Sequence, residues 1–75
     1  MPTLHRIRIG QLCVFAADHA PPHFHAIAPD WNALISIETL TVFQGNVPTA
    51  VWKQIKAWAV EHQPLLRQTW RTLNT

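Results

Sequence analysis

The sequence has little charge and only one cysteine. Charged residues make up 13% of the 75 and the net charge is only +2, a weak electrostatic footprint for nucleic acid. Because Cys13 is the one cysteine, an intramolecular disulfide is excluded and a reducing cytoplasm fits. No apolar run approaches bilayer-spanning length, and the N-terminus has no apolar core of signal-peptide length. We therefore expect a cytoplasmic protein without a membrane segment.

Apolar residues are abundant by contrast, at 48% of the chain. A chain of this length forms one domain with a small core, so a single domain over residues 1–75 is predicted. The four tryptophans can bury more area than one small core holds. The surplus predicts a tryptophan-rich surface and makes a homo-oligomer an expectation.

The first part of the chain, residues 1–45, is predicted to form a sheet. Ile7 and Ile9 alternate with arginines, which is the period of a strand, and Gly10-Gln11 are predicted to be the central residues of a hairpin turn. Pro21 and Pro22 lack backbone donors and end a strand ladder. The pattern predicts about four short strands joined as an antiparallel meander.

A helical period follows over residues 48–73. Val51, Ile55, Trp58 and His62 recur at helical spacing and form one apolar stripe. Pro64 is expected to kink or break the helix, because a proline in a helix interior removes a hydrogen bond. The predicted fold class is α+β, with a small antiparallel sheet followed by a C-terminal helix packed on one face.

Three of the five histidines lie in "DHAPPHFH", residues 18–25. His23 and His25 are two apart on a predicted strand, so both side chains leave the same face with Cα atoms roughly 7 Å apart. Imidazoles can accept or donate a proton at cellular pH. His23 and His25, with His62, are therefore the candidate catalytic residues. The competing interpretation is packing, with ring nitrogens bonded to backbone carbonyls and His62 in the core.

Other residues of the chain fit a binding role. Arg6 or Arg8, on a strand next to the histidines, could hold a phosphate, and Trp31 in the "PDWN" turn is difficult to bury. The candidate binding residues are Asp18, His19, Trp31, Arg6 and Arg8.

A metal site is the alternative use of the same histidines. His23, His25 and His19 are its candidate ligands, with zinc or another divalent ion as the metal, and Asp18 or His62 could complete a tetrahedral set. No Cys-x-x-Cys pair accompanies them. We therefore expect no cofactor and keep the metal site as an alternative.

Several stretches together resemble the bacterial family known as domain of unknown function 4160. These are the initial "MPT", the Gly10 turn, "DHAPPHFHA", "ALISIET", "GNVP", and the pair Trp58 and His62. The resemblance covers nearly the whole chain. Its motif falls on Asp18, His19, Pro21, Pro22, His23 and His25, with His62 and Trp70 as matching helix residues. Two departures are a missing glycine at Thr39-Leu40 and missing acidic residues at Gln63-Pro64.

The resemblance implies a small bacterial protein with a protein partner. Family members are often encoded beside a second small protein, in a pattern similar to toxin-antitoxin pairs. The first hypothesis is that the protein is one component of such a two-protein module and acts by binding its partner through residues 18–25, its functional edge. Binding of nucleic acid has weaker support. The rivals are a metal-independent endoribonuclease that uses His23 and His25 as general acid and base, and a metal-binding protein.

Overall fold

The computed structural model describes residues 3–7, 10–15 and 20–74. Across these residues the chain forms five strands and then two helices. The elements are β1 (Thr3–Ile7), β2 (Gly10–Cys13), β3 (His23–Ile27), β4 (Asn32–Ser36), β5 (Val42–Gly45), α1 (Thr49–Glu61) and α2 (Gln63–Asn74). The strands pair antiparallel in chain order, as a meander. The predicted α+β class is confirmed, with five described strands where about four were predicted.

The first hairpin turns earlier than predicted. Gly10 pairs with Ile7 and opens β2, so Gly10 and Gln11 lie in a strand and not in the turn. Residues 8–9 lie outside the described part of the chain. The prediction of Gly10-Gln11 as the turn centre is therefore wrong. Gly10 serves a different purpose, because a Cβ at this position would clash with the backbone carbonyl of Ile27 on β3.

The sheet buries one face in the core. Phe24 and Ala26 of β3 lie opposite Ile35 and Ala33 of β4, and all four are buried. Because strand side chains alternate, His23 and the other odd-numbered residues of β3 point to the opposite face. The core cluster comprises Leu12, Val14, Phe24, Ala26, Ile35, Ile37, Leu40, Ile55, Ala59, Leu66 and Trp70.

The turn between β4 and β5 contains the one described non-glycine residue with a positive φ. Leu40 has φ 54°, and its backbone N–H donates to the Ser36 carbonyl at 2.9 Å. The Ser36 N–H in turn donates to Thr41, so the loop is longer than a two-residue hairpin, in line with the missing glycine. The Leu40 side chain is buried in the core, which helps to compensate for the unfavourable backbone conformation.

The helical region breaks next to Pro64, as predicted. α1 ends at Glu61, and His62 forms a turn whose backbone N–H donates to the Trp58 and Ala59 carbonyls. Pro64 is the second residue of α2, where a missing N–H costs little because first-turn donors have no helical partner. Neither helix in the described part of the chain has the length and apolar character needed to cross a bilayer.

α2 crosses the end of the sheet where β2 and β4 finish and β3 begins. At its start, Gln63 Nε2 donates to the Ile37 carbonyl at 2.7 Å. At its last residue, Asn74 Nδ2 donates to the Phe15 carbonyl at 3.2 Å. Trp70, between them, is buried against the sheet. The two polar contacts fix both ends of the helix and hold Trp70 over the first residue of β3.

Candidate functional site

His23 is the first residue of β3 and is 4% exposed. Its Nδ1 lies 2.7 Å from the Pro21 carbonyl oxygen. Because a carbonyl only accepts, this bond requires a hydrogen on Nδ1, which fixes the orientation of the ring. The ring centroid lies 5.0 Å from Trp70 on α2 and 5.7 Å from Phe43 on β5. His23 therefore joins the helix to the sheet.

His25 lies beside His23 on the same face of β3. The two ring centroids are 5.2 Å apart, so the structure brings this predicted pair together. Phe15 contacts the His25 ring edge to face at 4.2 Å, and Cys13 is the cross-strand neighbour on β2. His25 is half-buried.

These contacts form a five-ring cluster: Phe15, His23, His25, Phe43 and Trp70. Its inner members, His23 and Trp70, are buried. Its outer rim is formed by the half-buried Phe15 and His25, together with Phe43, which is 45% exposed. The cluster thus continues from the core to the surface, and its rim presents three rings to solvent.

A cleft of about 220 Å³ lies next to the cluster, with Trp70 in its wall. Its lining residues are Pro22, Glu38, Arg67, Trp70 and Arg71, and we call it the arginine cleft. Arg67 Nε and Nη2 donate to the two carboxylate oxygens of Glu38 at 3.1 and 3.4 Å. Within the described residues Arg71 has no ion-pair partner. The cleft therefore combines an apolar wall with a cation that has no ion-pair partner among the described residues.

His62 lies in a different environment, at the break between the helices. Its ring stacks on Trp58 with centroids 4.5 Å apart, and Nδ1 lies 2.7 Å from the Trp58 carbonyl. The side chain thus satisfies a carbonyl at the C-terminal end of α1. Among the described residues, the ring of His62 contacts Trp58 and no member of the five-ring cluster.

The sequence profile of one protein family, described as "Domain of unknown function (DUF4160)", matches residues 11–71. The chain belongs to this family. Searches of curated proteins and of solved structures find no match. All members of the five-ring cluster and of the arginine cleft lie within the span that matches the DUF4160 family.

Other candidate residues of this DUF4160 protein lie elsewhere or outside the description. Trp31 is half-buried and packs against the core. The backbone of Arg6 lies on β1 opposite Gln11. Asp18, His19 and Arg8 lie outside the described residues, so their predicted binding roles stay predictions.

The metal site also stays a prediction. His23 and His25 are adjacent, but the third candidate ligand, His19, lies outside the described residues. In the described ranges, 3–7, 10–15 and 20–74, no group of three His, Cys, Asp or Glu residues is arranged to hold a metal ion.

The sequence did not indicate the aromatic rings that contact the histidines, or the arginines of the cleft. Phe15 lies two positions beyond Cys13, on the face that strand pairing gives to His25, so correct pairing would have placed it there. Arg67 and Arg71 are four residues apart in "RQTWR", a spacing that puts both on one side of a helix, but the sequence alone connects them with no site. Phe43 lies at the register shift between β4 and β5, between the paired residues Val42 and Gln44, and no local pattern in the sequence indicates this shift.

Proposed function

We propose that this protein is one component of a two-protein bacterial module and acts by binding its partner through the outer rim of the five-ring cluster. One observation carries the proposal: His25 and Phe43 contact the buried His23, which packs against the buried Trp70. Phe15 extends this rim through its contact with His25. Aromatic side chains that are fixed from beneath lose little conformational freedom on binding, and such anchors dominate the energetics of many interfaces.

The environment of His23 supports binding over proton transfer. A general base must come within hydrogen-bond reach of the proton that it removes. His23 is 4% exposed, and its Nδ1–H is directed at the Pro21 carbonyl. These contacts suit a histidine that orients its neighbours, namely Trp70 behind it and Phe43 at the surface.

The proposed partner is the small protein that is often encoded beside members of this family. The similarity of such gene pairs to toxin-antitoxin pairs supports this arrangement, and a cytoplasmic location of both proteins is part of the proposal. The area of the rim is small, so we expect the partner to contact flanking surface as well, since stable interfaces bury on the order of 800 Å² per protein.

The test is to co-express the protein with its gene neighbour and to measure the dissociation constant by titration calorimetry. Phe43→Ala should weaken binding about tenfold or more, as truncation of an interface aromatic does. Leu65→Ala is the matched control, because Leu65 on α2 is 44% exposed and Phe43 is 45% exposed. Absence of a complex at micromolar concentration, or equal effects of the two substitutions, would contradict the proposal.

A metal-independent endoribonuclease is the second candidate, because the His23 and His25 rings lie 5.2 Å apart and His25 is half-buried. One imidazole would take the proton from a ribose 2′-hydroxyl, and the other would protonate the leaving 5′-oxygen. RNA cleavage in the presence of a chelator, abolished by His25→Ala, is the expected result. Cleavage or growth arrest that survives the His23→Ala, His25→Ala double substitution would eliminate this candidate.

A further inference from the structure

The helical region carries most of the positive charge of the chain. Residues 49–74 contain four cations and one acid, which gives a net charge of +3. The cations are Lys53, Lys56, Arg67 and Arg71, and the acid is Glu61. The rest of the chain has two arginines and three acids, a net charge of −1. α2 itself contains no acidic residue. A partner that contacts α2 therefore meets a basic surface.

The arginine cleft concentrates this charge at one point. Arg71 has no ion-pair partner within the described residues, while Arg67 uses Nε and Nη2 on Glu38. A guanidinium has five N–H donors, so Arg67 retains donors after its contact with Glu38. Trp70 and Pro22 supply apolar surface beside these groups. Such a cleft suits a carboxylate at the end of a short aliphatic stem.

We propose that the arginine cleft binds acidic side chains of the protein partner, with Arg71 as the principal cation. This inference rests on the proposed partner-binding function and adds the chemistry of the partner segment, which is an extended peptide rich in glutamate or aspartate. The cleft adjoins the five-ring cluster through Trp70, which belongs to both. One partner segment can therefore place an apolar residue on the rim and an acidic residue in the cleft.

The dimensions and charge of the cleft favour a peptide over nucleic acid. At about 220 Å³ the cleft is below the usual 300–1,000 Å³ of small-molecule pockets, so it admits a side chain more readily than a nucleotide. Binding of a phosphate backbone draws on several cations along a path. This cleft offers two arginines, one of which already contacts Glu38.

The direct test is NMR titration of the full-length protein with a hexaglutamate peptide capped at both ends. The Trp70 indole and the Arg67 and Arg71 side-chain resonances should shift, and binding should weaken as salt is raised. Arg71→Gln should reduce affinity about fivefold, the effect of losing one partly exposed ion pair. Lys56→Gln on α1 removes the same charge from another exposed position and should change affinity less than twofold.

In the peptide titration, any one of three results would overturn the inference: no binding of hexaglutamate at millimolar concentration, equal effects of Arg71→Gln and Lys56→Gln, or tighter binding of hexauridylate than of hexaglutamate at the same resonances. Circular dichroism of both variants checks that they fold.

The partner complex separates this inference from the proposed function. If the wild-type complex forms and Arg71→Gln leaves its affinity unchanged, the acidic-segment inference fails and partner binding stands. If no complex forms, partner binding fails, and the inference, which rests on it, fails with it.

Discussion

Replacing His23 by alanine should destabilise the fold strongly, because its ring is buried and packs against three other rings. The substitution removes the hydrogen bond to the Pro21 carbonyl and ring contacts with His25, Phe43 and Trp70. One hydrogen bond contributes about 1 kcal/mol and each ring contact about 0.5 kcal/mol at the lower end of the usual range, which suits the small imidazole. Together they predict a loss of about 2–3 kcal/mol in the free energy of unfolding.

This loss is large for so short a chain. A protein of 75 residues has a total stability of about 4–11 kcal/mol at the usual value per residue. A loss of 2–3 kcal/mol lowers the melting temperature of a domain of this size by about 10–20 °C. His25→Ala should cost less, since His25 is half-buried and part of its ring already contacts solvent.

Urea denaturation, monitored by tryptophan fluorescence, measures the loss in the free energy of unfolding for both variants. Constant m-values would show that the unfolding transition is unchanged. His23→Asn is the matched variant, because its side-chain amide retains a donor for the Pro21 carbonyl. It should be more stable than His23→Ala. A loss below about 0.5 kcal/mol for His23→Ala, the size typical of a surface substitution, or a loss equal to that of His25→Ala, would refute the structural role.

Three further substitutions test the backbone and the surface. Leu40 has φ 54°, so the Leu40→Gly variant should be roughly 1 kcal/mol more stable than the Leu40→Ala variant. Both variants lose the leucine side chain, but only alanine keeps the strain of the left-handed backbone, and equal melting temperatures would contradict this. Gly10→Ala should cost about 1–3 kcal/mol, because its Cβ meets the Ile27 carbonyl, and an unchanged urea midpoint would count against that clash. Glu38→Gln should cost at most about 1 kcal/mol, since the carboxylate and its partner Arg67 are about half exposed; calorimetry showing a larger loss would mean that this ion pair fixes α2.

The motif at the start of β3 builds two adjoining surfaces. The Pro21 carbonyl holds His23, and the next residue, Pro22, lines the arginine cleft. His25, two residues further along, forms part of the cluster rim. Trp70 connects the two surfaces from the side of α2. A few adjacent residues therefore contribute to both the apolar and the charged part of the proposed interface.

Local patterns in the sequence determined the fold class and the pairing of the two histidines. The period-two alternation of β3 places His23 and His25 on one face whatever packs on them. Pro64 ends a helical segment because of its own covalent structure, and the chain does break beside it. These features depend on residues within a few positions of one another, so they could be predicted without the structure.

The tertiary structure decided what the histidines contact. Trp70 reaches His23 because α2 crosses the end of the sheet, a placement fixed by contacts such as that between Asn74 and Phe15, which are 59 residues apart. The role of Gly10 depends on the carbonyl of a neighbouring strand, and that of His62 on its stacking with Trp58 where α1 ends. Periodicity specifies the face that a side chain occupies, whereas the neighbours on that face depend on how separate elements pack.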